Sequence, residues 1–180
     1  MLPSSSPRLV LMCGPPGSGK TTLARRLSVH LDAISFSQDE WLTQLGAGMD
    51  HPLREELSDL QWRLAQELLA KGQSIIMESG HWMREERGEK RLVARALRVQ
   101  VELQYLSVPL EELHRRVAQR TIERAKASYP LTPEELDKWI AFFEPPDASE
   151  LALFDEPTVL EVADQYTFPK WFTNRSQQSS

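Results

Sequence analysis

Apolar positions along this chain change period block by block, and each block predicts an element. Leu9-Val10-Leu11-Met12-Cys13 is continuously apolar and reads as a buried strand. Behind it Leu23, Leu27 and Leu31 recur every four residues, the stripe of an amphipathic helix. Ala33 to Ser37 predicts a short second strand that runs into Gln38-Asp39-Glu40-Trp41, and Gly46, Gly48 and Pro52 mark a loop. Leu57, Leu60, Leu64 and Leu68 predict the apolar face of a long helix, with Gly72 as its C-cap. Ser74-Ile75-Ile76-Met77-Glu78 predicts a third strand with a carboxylate at its exit. A charged helix follows, with Leu92, Val93, Ala96 and Leu97 on one face, and Val99 to Leu106 alternates as a fourth strand. Pro109, Glu111 and Glu112 open an arginine-rich helix. Thr132-Pro133-Glu134-Glu135 is a capping box opening a helix that Pro145-Pro146 stops, and Thr158 to Val162 predicts a fifth strand. Strands alternating with helices predict an α/β fold, a parallel sheet covered on both faces.

Between the first strand and the first helix stands Gly14-Pro15-Pro16-Gly17-Ser18-Gly19-Lys20-Thr21, followed by Thr22. It fits G-x-x-x-x-G-K-[ST], a loop that cradles a polyphosphate. Glycines let successive backbone N–H groups turn inward with no Cβ in the way. The helix N-terminus behind them adds partial positive charge. In this pattern Lys20 reaches the outer phosphates and the Thr21 hydroxyl ligates Mg²⁺.

The chain has 180 residues, enough for a single domain with a core of its own, and its 41% hydrophobic and 26% charged content is that of a globular protein. Residues 1–7 and 174–180 are expected to be disordered tails. The net charge of −5 argues against a general nucleic-acid binder. Eleven of the 21 Lys and Arg residues fall between Arg84 and Lys126, and a basic middle suits a triphosphate. The single cysteine, Cys13, excludes an internal disulfide. The first residues lack the charged and apolar regions of a signal peptide, and no apolar run reaches membrane-spanning length, so the cytoplasm is the expected location.

Ligands of such folds gather at the carboxyl ends of strands, where the glycine loop, Asp39 and Glu78 all stand. Asp39 can accept the proton of an attacking hydroxyl, and the same residue type there suits a helix cap or loop. Glu78 stands where a Walker-B aspartate commonly holds Mg²⁺, and its longer arm can serve metal or substrate. Arg116 and Arg120, four apart on one helix face, can clamp a transferring phosphate or simply face solvent. His81 and Trp82, in a loop at a strand exit, are candidate acceptor contacts. The four histidines show no metal-ligand spacing.

With these residues in place the chain resembles the P-loop kinases. Within them it is similar to the group containing chloramphenicol phosphotransferase, zeta-toxin-like kinases and the kinase domain of polynucleotide kinase. The likeness runs from Leu9 to Val162, and its most specific part after the loop is Glu78-Ser79-Gly80-His81-Trp82-Met83-Arg84-Glu85-Glu86-Arg87. It implies a three-layer P-loop NTPase fold whose five-stranded sheet runs in the order 2-3-1-4-5. It also implies ATP, Mg²⁺ and phosphoryl transfer to a hydroxyl. Asp39 then matches the base, Arg87 an arginine facing the acceptor, and Arg116 and Arg120 the lid arginines. The expected activity is an ATP-dependent kinase acting on a small-molecule hydroxyl. The rival readings are a polynucleotide or nucleoside kinase and an ATP-hydrolysing switch.

Overall fold

Four parallel strands, β1 (Arg8–Cys13), β2 (Ile34–Phe36), β3 (Ile75–Gly80) and β4 (Gln100–Tyr105), form one sheet in the order β2-β3-β1-β4. The computed structural model describes residues 6–47, 51–123 and 131–160, the side chains of 120–123 excepted. Between and after the strands run α1 (Lys20–His30), α2 (Gln38–Gln44), α3 (Arg54–Ala70), α4 (Arg84–Ala96), α5 (Leu110–Glu123), α6 (Pro133–Ile140) and α7 (Ala148–Leu151). β1 is central: Leu9 and Leu11 lie level with Ile75 and Met77 of β3 and with Val101 and Leu103 of β4. Its apolar run is therefore buried on both faces. On one face Val10, Met12 and Ile76 meet Ala24 and Leu27 of α1. On the other Leu9, Leu11, Ile75 and Met77 meet Ala65 and Leu69 of α3 and Ala94 of α4.

The leucine stripes do not mark the buried faces of α3 and α4. In α3 the buried positions are Leu57, Gln61, Ala65 and Leu69, while Leu60 is 50% and Leu64 37% exposed. Small Ala65 lets the helix lie close on the sheet, and the bulkier leucines turn toward Trp41, with which they line a shallow groove. In α4 the buried positions are Arg87, Lys90 and Ala94, and Leu92 is 61% exposed. Each buried cation has a partner. Arg87 pairs with Glu150, and Lys90 pairs with Glu86 and lies over the Trp62 ring.

The expected fifth strand over 158–162 does not form within the described part, 158–160, and 161–162 lie outside it. Among the described residues a lone bridge, Glu102 to Asp155, pairs this part of the chain with β4. Side chains of β4 intercept the rest. The Thr158 N–H donates to Glu102 at 2.7 Å, and the Thr158 carbonyl accepts from the Gln104 side chain at 3.1 Å. Glu102 is wholly buried there and also accepts from Arg8. Residues 1–5 and 174–180 of the expected tails lie outside the described residues, and the Pro7 carbonyl accepts from the Gln100 N–H at 3.3 Å. No helix among the described residues is long and apolar enough to cross a membrane.

Candidate functional site

β1 delivers the chain to its glycine loop at the centre of the sheet edge. Gly14, Gly17 and Gly19 hold φ of +150°, +81° and +101°. At Gly14 a Cβ would meet Ser18 Oγ at 2.8 Å and the Leu106 carbonyl at 3.0 Å. Only glycine fits such a backbone. Gly19 caps α1 with no side-chain hydrogen bond, so no side chain of the cap takes up the helix's first N–H groups. Ser18 Oγ is buried without a hydrogen-bond partner in the same turn. Lys20 Nζ donates to the Gly14 and Pro15 carbonyls at 2.8 and 2.9 Å, which holds an ammonium over the loop. Uncommitted donors and a poised cation suit an anion.

The exits of β2 and β3 stand on one side of this loop. Asp39 is the second residue of α2, and Ser37 caps that helix by accepting from the Glu40 N–H at 3.4 Å. The Asp39 side chain is 59% exposed and accepts from Arg54 at 3.1 Å. It is therefore not the cap. Glu78 closes toward the loop. Burial pushes its carboxyl pKa up, against hydrogen bonds with the hydroxyls of Thr21 and Ser37 that pull it down. Its Oε1 is buried with no partner. A carboxyl with one orphaned oxygen beside the Thr21 hydroxyl fits a hard, oxygen-seeking cation such as Mg²⁺. Among the described residues no group of three or more His, Cys, Asp or Glu side chains gathers as a metal site.

His81 and Arg87 turn inward. His81 is 1% exposed at φ +43°; its Nδ1–H donates to the Met12 carbonyl at 3.0 Å, and Nε2 faces the Ser79 hydroxyl at 3.3 Å. Burial lowers its pKa to about 4. Arg87 is 0% exposed and donates to both Glu150 oxygens, at 2.6 and 2.8 Å, and to the His81 and Trp82 carbonyls at 3.0 and 2.8 Å. Neither side chain faces the open end of the sheet. Trp82 packs against Trp139 and Phe143. Burial raises the Cys13 thiol to about 11, so it is inert at neutral pH.

On the other side of the loop, α5 lies over Gly17, where a Cβ would meet Val117 Cγ2 at 3.1 Å. Arg116 donates to Glu112 at 2.7 Å and to the Gly17 carbonyl at 3.4 Å. Glu112 also takes both hydrogen bonds of Arg115, and these together with Arg116 hold its carboxyl down at about 2. Arg120 belongs to α5, but its side chain lies outside the described residues. An apolar cavity of about 150 Å³ opens beside Pro15, lined among others by Tyr105, Leu106, Leu113, Ile140 and Phe143. The structure thus joins Glu78 to Thr21 beside the loop, sets Asp39 after β2 in the first turn of α2, and leaves His81 and Arg87 in the interior. Ser37, Arg25 and Arg54 were not singled out in the sequence. Ser37-Gln38-Asp39-Glu40 has the S-x-x-E form of a helix start. Arg54 is fifteen positions from Asp39 and carries no local signal.

A glycine loop with its lysine, at the carboxyl edge of a parallel sheet, defines a P-loop nucleotide-binding domain. The chain belongs to the AAA domain family, whose model matches residues 9–146, and it is a P-loop kinase-like member. No curated protein matches the sequence. The fold is similar to that of a chain in the Pnkp1/Rnl/Hen1 RNA repair complex, with TM-score 0.65 and 19% identity over 91% of this chain and 52% of that one. This chain therefore spans about half the length of that relative. Chaetomium thermophilum Kti12 in complex with ADP-AlF3 gives TM-score 0.62 and 19% identity over 78% of this chain and 82% of that one. Mycobacterium tuberculosis APS kinase CysC in complex with AMPPNP and APS gives 0.50 and 17% over 76% and 97%. At these identities the likeness is one of fold.

Proposed function

We propose that the chain is an ATP-dependent kinase that transfers the γ-phosphate to a hydroxyl of a small-molecule acceptor. The observation that supports this reading is the hydrogen bond between Thr21 and Glu78 beside the glycine loop and its Lys20, with Asp39 following β2 on the same sheet edge and an apolar cavity on the far side of the loop. Backbone N–H groups of residues 14–20 and the Lys20 ammonium hold the phosphates. The cavity beside Pro15 takes the base. Thr21 and Glu78 would hold Mg²⁺, which when bound neutralises the phosphate charge. The acceptor oxygen attacks the γ-phosphorus, its proton passes to the Asp39 carboxylate, and the bond from that phosphorus to the β–γ bridging oxygen breaks to release ADP. Arg116 and Arg120 stabilise the charge spread over the moving phosphoryl group. Arg87 and His81 act from behind, fixing the loop after β3.

A nucleic-acid end as acceptor is the second reading. The likeness of fold to an RNA repair chain favours it, and the net charge of −5 opposes it. Label transfer from γ-labelled ATP to a panel of hydroxyl metabolites, to an oligonucleotide ending in a 5′-hydroxyl, or to water alone separates the readings. Label in a metabolite is expected. Label released only as phosphate, at equal rates with and without acceptors, would leave a hydrolytic switch in place of the kinase.

A further inference from the structure

Helix α3 carries two stripes along its length, and its own domain buries one of them. The inward stripe is Leu57, Gln61, Ala65 and Leu69. Leu53, the residue that caps the helix, is 51% exposed, and Leu60 and Leu64 face solvent in line with it. Their spacing of seven and then four keeps them on one line over about three turns. Leu60 and Leu64, with Trp41, Arg63 and Glu67, line a groove of about 290 Å³. Single exposed leucines are ordinary; three in a row beside a tryptophan make a surface that another molecule can cover. Glu56 and Arg63 stand on one flank of this line, seven residues and two turns apart, and both are exposed. Among the described residues neither makes an ion pair or a hydrogen bond through its side chain, although Arg63 is four positions from both Asp59 and Glu67.

We infer that the outward face of α3 is a self-association surface, on which a second copy of this chain packs its own α3 antiparallel about a two-fold axis. The charges identify the occupant. A two-fold contact is isologous, so a residue that meets a second residue of the partner is met in turn by the partner's copy of itself. Laying Leu53 opposite the partner's Leu64 in an antiparallel pair brings Leu60 beside the axis. The same register sets Glu56 opposite the partner's Arg63 and Arg63 opposite the partner's Glu56. One arrangement thus covers the exposed leucines and pairs both charges twice over, with no other protein needed. A parallel two-fold pair would set Glu56 against Glu56 and Arg63 against Arg63, and like charges repel. Near-antiparallel helices packed by interleaved side chains are a common contact. A helix of 17 residues is about 25 Å long, which makes a small interface, so the association is reversible and depends on concentration. The pairing is independent of the chemistry at the glycine loop.

Sedimentation equilibrium of the full chain over a wide range of concentration tests this. Wild type should pass from the mass of one chain toward that of two. Arg63→Glu turns two exposed attractions into two repulsions and should raise the dissociation constant roughly 10-fold or more, and Glu56→Arg should do the same. The double change Glu56→Arg with Arg63→Glu restores opposite charges and should bring the dimer back to near wild-type strength. The two single variants, each weak alone, should dimerise with each other when mixed, a result that a folding defect in either could not produce. Leu60→Glu, beside the axis, should hold the protein as a monomer with the thermal midpoint of the wild-type monomer. A wild-type chain that stays a monomer at every concentration overturns the inference. So does a dimer indifferent to Leu60→Glu and Arg63→Glu, which would be built on another face, or a double charge exchange that fails to restore association. A wild-type monomer whose hydrodynamic radius grows on Leu60→Glu would mean that the chain covers the stripe with a segment of its own, and overturns it as well.

Discussion

Asp39, the expected base, and His81, an expected acceptor contact, are separated by their surroundings. Asp39 is water-exposed and accepts from Arg54 in the first turn of α2. As the base, Asp39→Asn should cut phosphoryl transfer by roughly 10²- to 10⁴-fold while ATP affinity changes little. The near-isosteric asparagine keeps the first turn of α2, which Ser37 caps. Rate and nucleotide affinity measured on one preparation check this, and full activity would remove Asp39 from the mechanism. His81 is a buried neutral imidazole. The unfolded chain takes up its proton near pH 6.5, and the folded protein resists until about pH 4. Stability is therefore intact above about pH 6.5 and falls as the pH drops toward 4, by roughly 3 kcal/mol from this residue. Urea unfolding of wild type and His81→Asn across that range should show the difference, since asparagine tolerates the positive φ and does not titrate. Equal acid slopes would assign the loss elsewhere. The glycine loop was legible in the sequence because its backbone excludes other residues. The inward turn of His81 was not, because it depends on the Met12 carbonyl, 69 positions away.

At the scale of elements, the inner face of α4 is polar where the sequence pattern called for leucines. Its arginines meet an acidic partner far along the chain. Arg84 pairs with Asp147 at 3.0 Å, Arg87 with Glu150 at 2.6 Å and Arg95 with Asp155 at 2.8 Å. Three arginines at the start of the basic block, Arg84, Arg87 and Arg95, thus dock the segment that carries α7 against α4. Local periodicity cannot report a salt bridge made across sixty positions, and so the buried stripe was misplaced. The exposed Arg84 and Arg95 pairs contribute little. The Arg87–Glu150 pair is different, because removing one partner strands a buried charge. Burial alone would weaken the Arg87 proton; the hydrogen bonds to Glu150 and the neighbouring negative charges, Glu150 and Glu144 among them, together more than offset this, so the guanidinium stays charged. Glu150→Ala should cost about 3–5 kcal/mol, whereas the double change Arg87→Met with Glu150→Leu should cost much less. Chemical denaturation of the three proteins decides it. A double variant no more stable than Glu150→Ala would mean that the pair's geometry, and not its buried charge, holds α7.

Over the whole molecule, the alternation of strand and helix was enough to read a parallel sheet with the glycine loop, Asp39 and Glu78 on one edge. No fifth strand forms over the described residues 158–160, where Glu102 and Gln104 take the hydrogen bonds of Thr158 that a strand would have given to backbone. The edge that carries the loop is where ligand binding and global stability are joined. ATP that binds only the folded chain must raise its stability, by about 2.7 kcal/mol at a hundred times the dissociation constant. For a chain of this size that is a rise in thermal midpoint of roughly 5–11 °C. Mg²⁺ should enlarge the rise, because Thr21 and the orphaned Glu78 oxygen then gain a partner through the nucleotide. Lys20→Ala should melt near wild type without ligand, since it loses two exchangeable bonds to the Gly14 and Pro15 carbonyls, and should lose the rise. Scanning calorimetry with and without ATP, with and without Mg²⁺, on both proteins gives the four comparisons needed. An equal rise in wild type and Lys20→Ala would mean that the nucleotide is held somewhere other than the loop that closes β1.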